Sequence, residues 1–224
     1  MPEQQIVLKR VGRSLAQIPI VGTAPLITHQ FGAKAQAIML AAQMGEVAER
    51  EPKNPEELYR DSMYPLPEGH DGYGHPATAF KAAIIGGARF FKGSKLTMEG
   101  LKAAVFVKGV GGQMLVPLLA AVTDEEGKPL HEFKPAVPSM RQDTVRNQTG
   151  VADIRFRGEF WPWSAIIDVV WITKQMSVES LVNLVDAAGL GGIGEWRPSS
   201  KTSKTGTYGT WSVPEDADVK VTAL

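Results

Sequence analysis

The alternation of apolar and polar positions divides the chain into strand-like and helix-like stretches. Residues 16–28, AQIPIVGTAPLIT, are rich in Ile, Val and Thr and predict a strand with a bend at Gly22. Residues 33–50 are Ala-rich with no glycine before Gly45, and predict a helix that stops short of Pro52. Residues 51–75 gather Pro, Asn, Asp, Gly and charge, the composition of a long loop or lid. Pro76 then opens a second helix, where its missing N–H costs nothing. Phe80, Ile84, Gly87 and Phe91 follow at spacings of four, three and four, which makes one apolar face. Gly86 and Gly87 lower helix propensity and permit close packing on a sheet. Residues 103–107 and 113–122 predict two short strands around a turn at 109–112.

Residues 163–172, WSAIIDVVWI, are apolar on both faces and predict a central, covered strand. Ser177 suits the N-cap of the helix that follows. Val178, Leu181, Val182 and Val185 give that helix a buried stripe, and Gly189 fits its C-terminus. Residues 207–213, TYGTWSV, predict a last short strand. The polar, acidic stretch 214–224 is expected outside the core. Residues 124–160 differ from the rest, with turn residues, few large aliphatics and four arginines. There Ile154, Phe156 and Phe160 alternate with Arg155, Arg157 and Glu159, as in an exposed hairpin arm.

Setting aside the Ala-rich helix and the arm, the order is strand, helix, strand, strand, helix, strand. That is the split-βαβ order of a ferredoxin-like, RRM-like fold with an antiparallel sheet. The expectation is an α+β protein with one domain over 1–213. An extra helix and loop follow the first strand, and the arm 124–160 is inserted between the second and third core strands.

Composition adds limits. With 224 residues, 43% of them hydrophobic, the chain can bury one sizeable core. It has no cysteine, which excludes a disulfide scaffold, a thiolate metal site and a cysteine nucleophile. The opening MPEQQIVLKR has no apolar signal core, and no run of about 18 apolar residues occurs. A cytoplasmic protein without a membrane span is the expectation. The formal net charge of zero weighs against nucleic-acid binding. The charge is uneven, however: residues 45–75 hold eight acidic and three basic side chains, and residues 78–108 hold one acidic and six basic. Residues 197–210 hold three basic side chains and no acidic one. A neutral total can therefore conceal a basic face.

Binding a single strand needs cations for phosphates and flat groups for bases. Lys81, Arg89 and Lys92 can supply charge from the second helix, and Arg141, Arg146, Arg155 and Arg157 from the arm. Arg197, Lys201 and Lys204 stand beside the glycine-rich stretch GLGGIGEWRP. Phe156 and Trp196 are the candidate stacking groups; the plainer reading makes Phe156 a contact at the arm's base and Trp196 a seal on the glycine loop. The G-x-G-G-x-G of Gly189, Gly191, Gly192 and Gly194 follows a helix and precedes a strand. A dinucleotide fingerprint needs the reverse order. His29, His70, His75 and His131 show no metal-ligand spacing, and His75 reads as part of the turn before Pro76. No P-loop or G-x-S-x-G elbow is present. Neither metal nor cofactor is expected.

Three segments resemble one family, the RAMP proteins that coat single-stranded nucleic acid in CRISPR effectors. HPATAFKAAIIGGARFF, residues 75–91, is similar to the RAMP helix signature, with Lys81 and Arg89 at its two basic positions. GLGGIGEWRPSSKTSKTGTYGTW, residues 189–211, resembles the family's glycine-rich loop and closing strand. The basic arm resembles the thumb of the CRISPR backbone subunits, which folds over the nucleic acid. Short stand-alone chains of this pattern also resemble bacteriophage proteins. The resemblance implies a non-catalytic protein that coats RNA or DNA as a head-to-tail filament, in phage recombination or annealing or in a CRISPR-like complex. Nucleolytic backbone subunits place an Asp just after the first strand, and HQFGAKAQ, residues 29–36, has none. Two alternatives stand beside this: a metal-independent ribonuclease using His29, and an assembly protein whose arm clasps a neighbouring subunit without nucleic acid.

Overall fold

The segment 163–172 forms the middle of the largest sheet, but only one of its two apolar faces is covered by helices. On the other, Ile166 is exposed and Asp168 half-buried, contrary to the expectation of a strand covered on both sides. The computed structural model of the chain describes residues 10–46, 52–91, 96–123, 129–146, 150–202 and 205–224. The first part of the chain forms β1 (Arg13–Gly22), β2 (Leu26–Ile27), α1 (Ala33–Gln43), α2 (Pro55–Asp61), β3 (Tyr64–Pro65), β4 (Tyr73–Pro76) and α3 (Ala77–Gly87). A 3-10 turn (Ala88–Phe90) leads to α4 (Met98–Ala104), β5 (Val105–Val107), β6 (Leu115–Pro117), β7 (Leu119–Thr123) and β8 (Pro129–Pro135). Then come β9 (Pro138–Arg146), β10 (Ala152–Phe160), β11 (Ser164–Ile172), α5 (Val178–Gly189), β12 (Trp211–Ser212) and β13 (Lys220–Ala223). The protein is thus mixed α+β, with three antiparallel sheets and five α-helices among the described residues.

β11 pairs with β1 from Arg13↔Ile172 to Val21↔Ser164. The far edge of β1 carries β12 at one end and β13 at the other. The far edge of β11 carries β5 at one end and β7 at the other. Ala16, Ile18 and Ile20 of β1 meet Ala165, Ile167 and Val169 of β11 in one buried layer. Phe80 and Ile84 of α3 cover it, together with Leu181, Leu184 and Val185 of α5. Gly87 is where α3 and α5 touch: a Cβ there would lie 3.1 Å from the Leu184 carbonyl oxygen. Gly87 therefore serves helix–helix contact, not the sheet contact the sequence suggested, while Gly86 has only the Arg89 side chain near it. Ser177 caps α5 as expected, its Oγ accepting from the Ser180 N–H at 3.2 Å.

Several expectations change. Residues 51–75 are not a plain loop, since they hold α2, β3 and β4. Asn54 Oδ1 accepts from the amides of Glu56 and Glu57, and Pro55 takes the first helical position, so α2 is capped by its own sequence. Residues 103 and 104 belong to α4, which Thr97 caps through a bond from Gly100 N. β5 and β6 do not pair with each other; β5 joins β11 and β6 joins β4. The Ala-rich helix ends at Gln43, with Gly45 at φ +82° just beyond, and residues 47–50 lie outside the described residues. The acidic tail supplies β13, an edge strand on β1. The arm divides: β8 joins β7 in the large sheet, while β9 and β10 form a long hairpin tied to β2.

Candidate nucleic-acid interface

Thr78, Ala82 and Gly86 fall four residues apart on α3 and show only small side chains along one line. Across from them runs the glycine-rich segment 190–199, and a groove of about 720 Å³ lies between. Backbone bonds fix the far wall. Ile193 N donates to Gly209 O at 3.0 Å, Glu195 N to Ile27 O at 2.9 Å, and Ser199 N to Gly191 O at 3.0 Å. Gly194 sits at φ +74°, and a Cβ there would lie 2.5 Å from Ile27 O. This wall needs glycine because it lies on the end of β2.

Two guanidinium groups line the groove. Arg89 donates from Nε to Gly86 O at 2.8 Å, and Arg197 from Nη1 to Gly194 O at 2.8 Å. At one end His29, Tyr64, His75 and Glu195 also line it. His29 Nδ1 lies 3.4 Å from Glu195 Oε1. That hydrogen bond outweighs partial burial and, with Arg157 nearby, holds the Glu195 carboxyl below the usual carboxylate range. Burial and the Glu195 charge push the Tyr64 hydroxyl up. His75 is 5% exposed; burial first, and then the charge of Arg197, lower its pKa to about 3.

Beside the groove, the hairpin base forms a second cluster. The pairings Arg157↔Arg141 and Arg155↔Asp143 put four charged side chains on one face, with Glu159 next along it. Trp196 and Tyr208 cover that face. Arg141 lies 4.9 Å from the Tyr208 ring centre and 5.5 Å from that of Trp196, while Arg157 lies 5.2 Å from Trp196. Arg141 also donates to Asp143 at 2.9 Å, to Glu159, and to the Tyr208 hydroxyl at 3.1 Å. Those bonds raise its pKa in spite of burial. Arg157 pairs more loosely, 3.6 Å from Asp143 and 3.8 Å from Glu195. Its Nε and Nη1 are buried without a hydrogen-bond partner, and burial lowers its pKa. The opposite face of the hairpin rests on α2 and the turn after it: Gly158 N donates to Ser62 Oγ at 2.8 Å, and Tyr59 donates to Pro138 O.

The predicted site residues therefore separate. Arg89 and Arg197 meet in the groove, and His29 joins them. Arg157 is not the expected exposed phosphate contact: its side chain is 1% exposed because Trp196 and Glu195 close over it. Arg141 is held in the same cluster. Trp196, half-buried at φ +51°, packs against Tyr208 and the two arginines, close to the sealing role considered for it. Phe156 is half-buried in β10. Lys81 stands apart, donating to Lys102 O at 2.9 Å with its ammonium 4.5 Å from the centre of the Phe106 ring. Arg146 reaches Gly150 O, and Arg155 lies 3.7 Å from Asp153 on the outer hairpin. Lys201 is exposed. Lys92 and Lys204 lie outside the described residues. The sequence reading missed His75, Glu195, Tyr64 and Asp143. Asp143 alone carried a signal, two residues from Arg141 on one strand face.

Among the described residues, no group of three His, Asp or Glu side chains is placed to hold a metal ion, and no helix is long and apolar enough to cross a membrane. No protein-family model matches the chain, and no curated protein matches it. Among solved structures, the chain is similar to one in a cryo-EM structure of the type III-B Cmr-beta complex bound to cognate target RNA. The TM-score is 0.45 at 7% identity, over 94% of this chain and 61% of that one. This chain thus spans about three fifths of the length of that one.

Proposed function

We propose that this chain binds single-stranded nucleic acid along the groove between α3 and residues 190–199, by contacts to the phosphate backbone. The groove is the observation that carries this reading. Thr78, Ala82 and Gly86 are too small to fill it, and the guanidinium groups of Arg89 and Arg197 each keep N–H donors beyond their one bond to the loop or helix carbonyl. A planar fork of donors suits phosphate oxygens. Glu195, the carboxylate in the groove, lies within hydrogen-bond reach of His29 and has the Arg157 guanidinium 3.8 Å away to offset its charge. The sheet order β12-β1-β11-β5, with α3 and α5 against its buried face, supports a ferredoxin-like scaffold. On this reading the outer hairpin, with Arg146, Arg155 and Ile154, reaches a neighbouring copy, and copies line up along the strand as a head-to-tail filament.

Fluorescence anisotropy with labelled single-stranded RNA and DNA of one sequence, across a salt series, tests this. Log affinity is expected to fall linearly with log salt, by roughly 0.7 per phosphate neutralised, and Arg89→Ala is expected to flatten the slope by about that amount. Folded protein that binds neither strand at low salt refutes the reading.

One observation favours the ribonuclease reading. His29 lies in the groove against Glu195, an arrangement in which a carboxylate orients an imidazole for proton transfer. Cleavage of a bound RNA that His29→Ala abolishes without weakening binding would establish it. RNA left intact after prolonged incubation with the wild type would remove it.

A further inference from the structure

α3 starts without a side-chain cap. Pro76 precedes it, no side chain bonds its first amides, and its first turn holds no acidic residue. Ala77 N is occupied by Met114 O at 2.8 Å, while Thr78 and Ala79, the next two residues, line the groove. Free amides and the positive end of the helix dipole favour an anion at such a place.

His75 is a second and independent sign. Its ring is held edge-on by Tyr64, at 5.6 Å and 80°, and by Phe80, at 6.0 Å and 84°. It is buried, yet it belongs to the groove lining. Its Nδ1 is shielded and has no hydrogen-bond partner, whereas Nε2 is not among the shielded, unpartnered atoms and the ring lines the groove. Orphaned buried N–H groups are rarer than under-satisfied acceptors, so the ring proton belongs on Nε2. Arg197 lines the same groove, close enough for its charge to disfavour an imidazolium.

We infer that His75, the uncapped first turn of α3 and Arg197 together form a subsite for one phosphate group of the bound strand. His75 donates from Nε2, the amides of Thr78 and Ala79 face the same oxygens, and Arg197 supplies the charge. The subsite rests on reading the groove as a nucleic-acid site, and two probes separate them: a labelled single-stranded oligonucleotide and a nucleoside 5′-monophosphate.

His75→Phe keeps the aromatic packing and removes the donor. It is expected to weaken oligonucleotide binding about tenfold with an unchanged salt slope, because an uncharged donor releases no counterion. His75→Gln, which restores an N–H near the position of Nε2, is expected to recover most of the affinity. In wild-type protein, the His75 Nε2 resonance in a long-range ¹H–¹⁵N spectrum is expected to move when the monophosphate is added. An unmoved Nε2 resonance, with full oligonucleotide binding by folded His75→Phe, overturns the subsite and leaves the groove reading intact. A moved resonance in protein that binds no oligonucleotide supports the subsite and removes the strand reading. If His75→Phe fails to fold, the wild-type resonance decides alone: movement supports the subsite and no movement overturns it.

Discussion

Mild acid is expected to destabilise this protein through His75. The ring is 5% exposed, and burial together with the Arg197 charge lowers its pKa from 6.5 to about 3. Between those values the unfolded chain takes up a proton that the folded chain does not. Stability is therefore complete well above pH 6.5 and falls as the pH drops towards 3. Each pH unit below 6.5 removes about 1.4 kcal/mol, so about 2 kcal/mol is lost by pH 5. Over the whole window the loss approaches about 5 kcal/mol, a large part of the stability of an ordinary domain. His75→Phe keeps the edge-on contacts with Tyr64 and Phe80 and removes the titration. Urea unfolding of both proteins at pH 7.5, 6 and 5 measures the difference. The wild type is expected to lose about 2 kcal/mol more than the variant between the first and last of these. Two stability curves that fall in parallel would refute the reasoning, since they would mean that His75 titrates alike in the folded and unfolded chains.

Four further outcomes are expected. Gly189→Ala places a Cβ 1.9 Å from the Trp211 carbonyl oxygen; backbone must shift, and the urea midpoint is expected to report a loss of about 3 kcal/mol. Arg157→Ala removes one of the two guanidinium partners of buried Asp143, with Arg141 remaining, and opens a gap under Trp196, at a cost of about 2 kcal/mol. Arg155→Ala removes a half-exposed pair at 3.7 Å and is expected to cost under about 1 kcal/mol; equal costs at 155 and 157 would contradict the burial of Arg157. Ser177→Ala removes the cap bond to Ser180 N and is expected to cost about 1 kcal/mol, read as a small drop in Tm.

Several features of this protein were legible in the sequence because their cause is local. β11 announced itself as central by its long apolar run, although one face stays open at Ile166, and α5 by a serine cap and a stripe at helical spacing, which in the fold also includes Leu184. Gly22 marked the end of β1, and the fold shows a reason for glycine there: a Cβ would lie 2.2 Å from the Trp163 ring. The cap of α2 was equally local, since Asn54-Pro55-Glu56-Glu57 spells a helix start, but the charge and prolines around it masked the signal.

Other features depended on which distant segment covers which face. The alternation along β10 correctly separated Phe156 and Phe160 from Arg155 and Arg157. Period two identifies two faces, however, and does not say that the charged one is wet. Here residues 195, 196 and 208 come from far along the chain to close over it, so Arg157 is a buried ion and not a surface cation. The groove has the same origin. α3 and the glycine-rich segment lie roughly a hundred residues apart in sequence, and only the packing of α3 on α5 sets the gap between them. His75 looked like a turn residue for that reason: the pattern of its neighbours fixes the start of α3, while its unpartnered nitrogen and its burial exist only once Tyr64, Phe80 and Arg197 surround it. Interactions within a few residues specify the strongly periodic elements β11 and α5 and the Ser177 cap, and these are the ones the sequence makes legible. The tertiary structure alone decided which charges are buried and where the cleft lies, because desolvation depends on contacts that sequence separation does not encode.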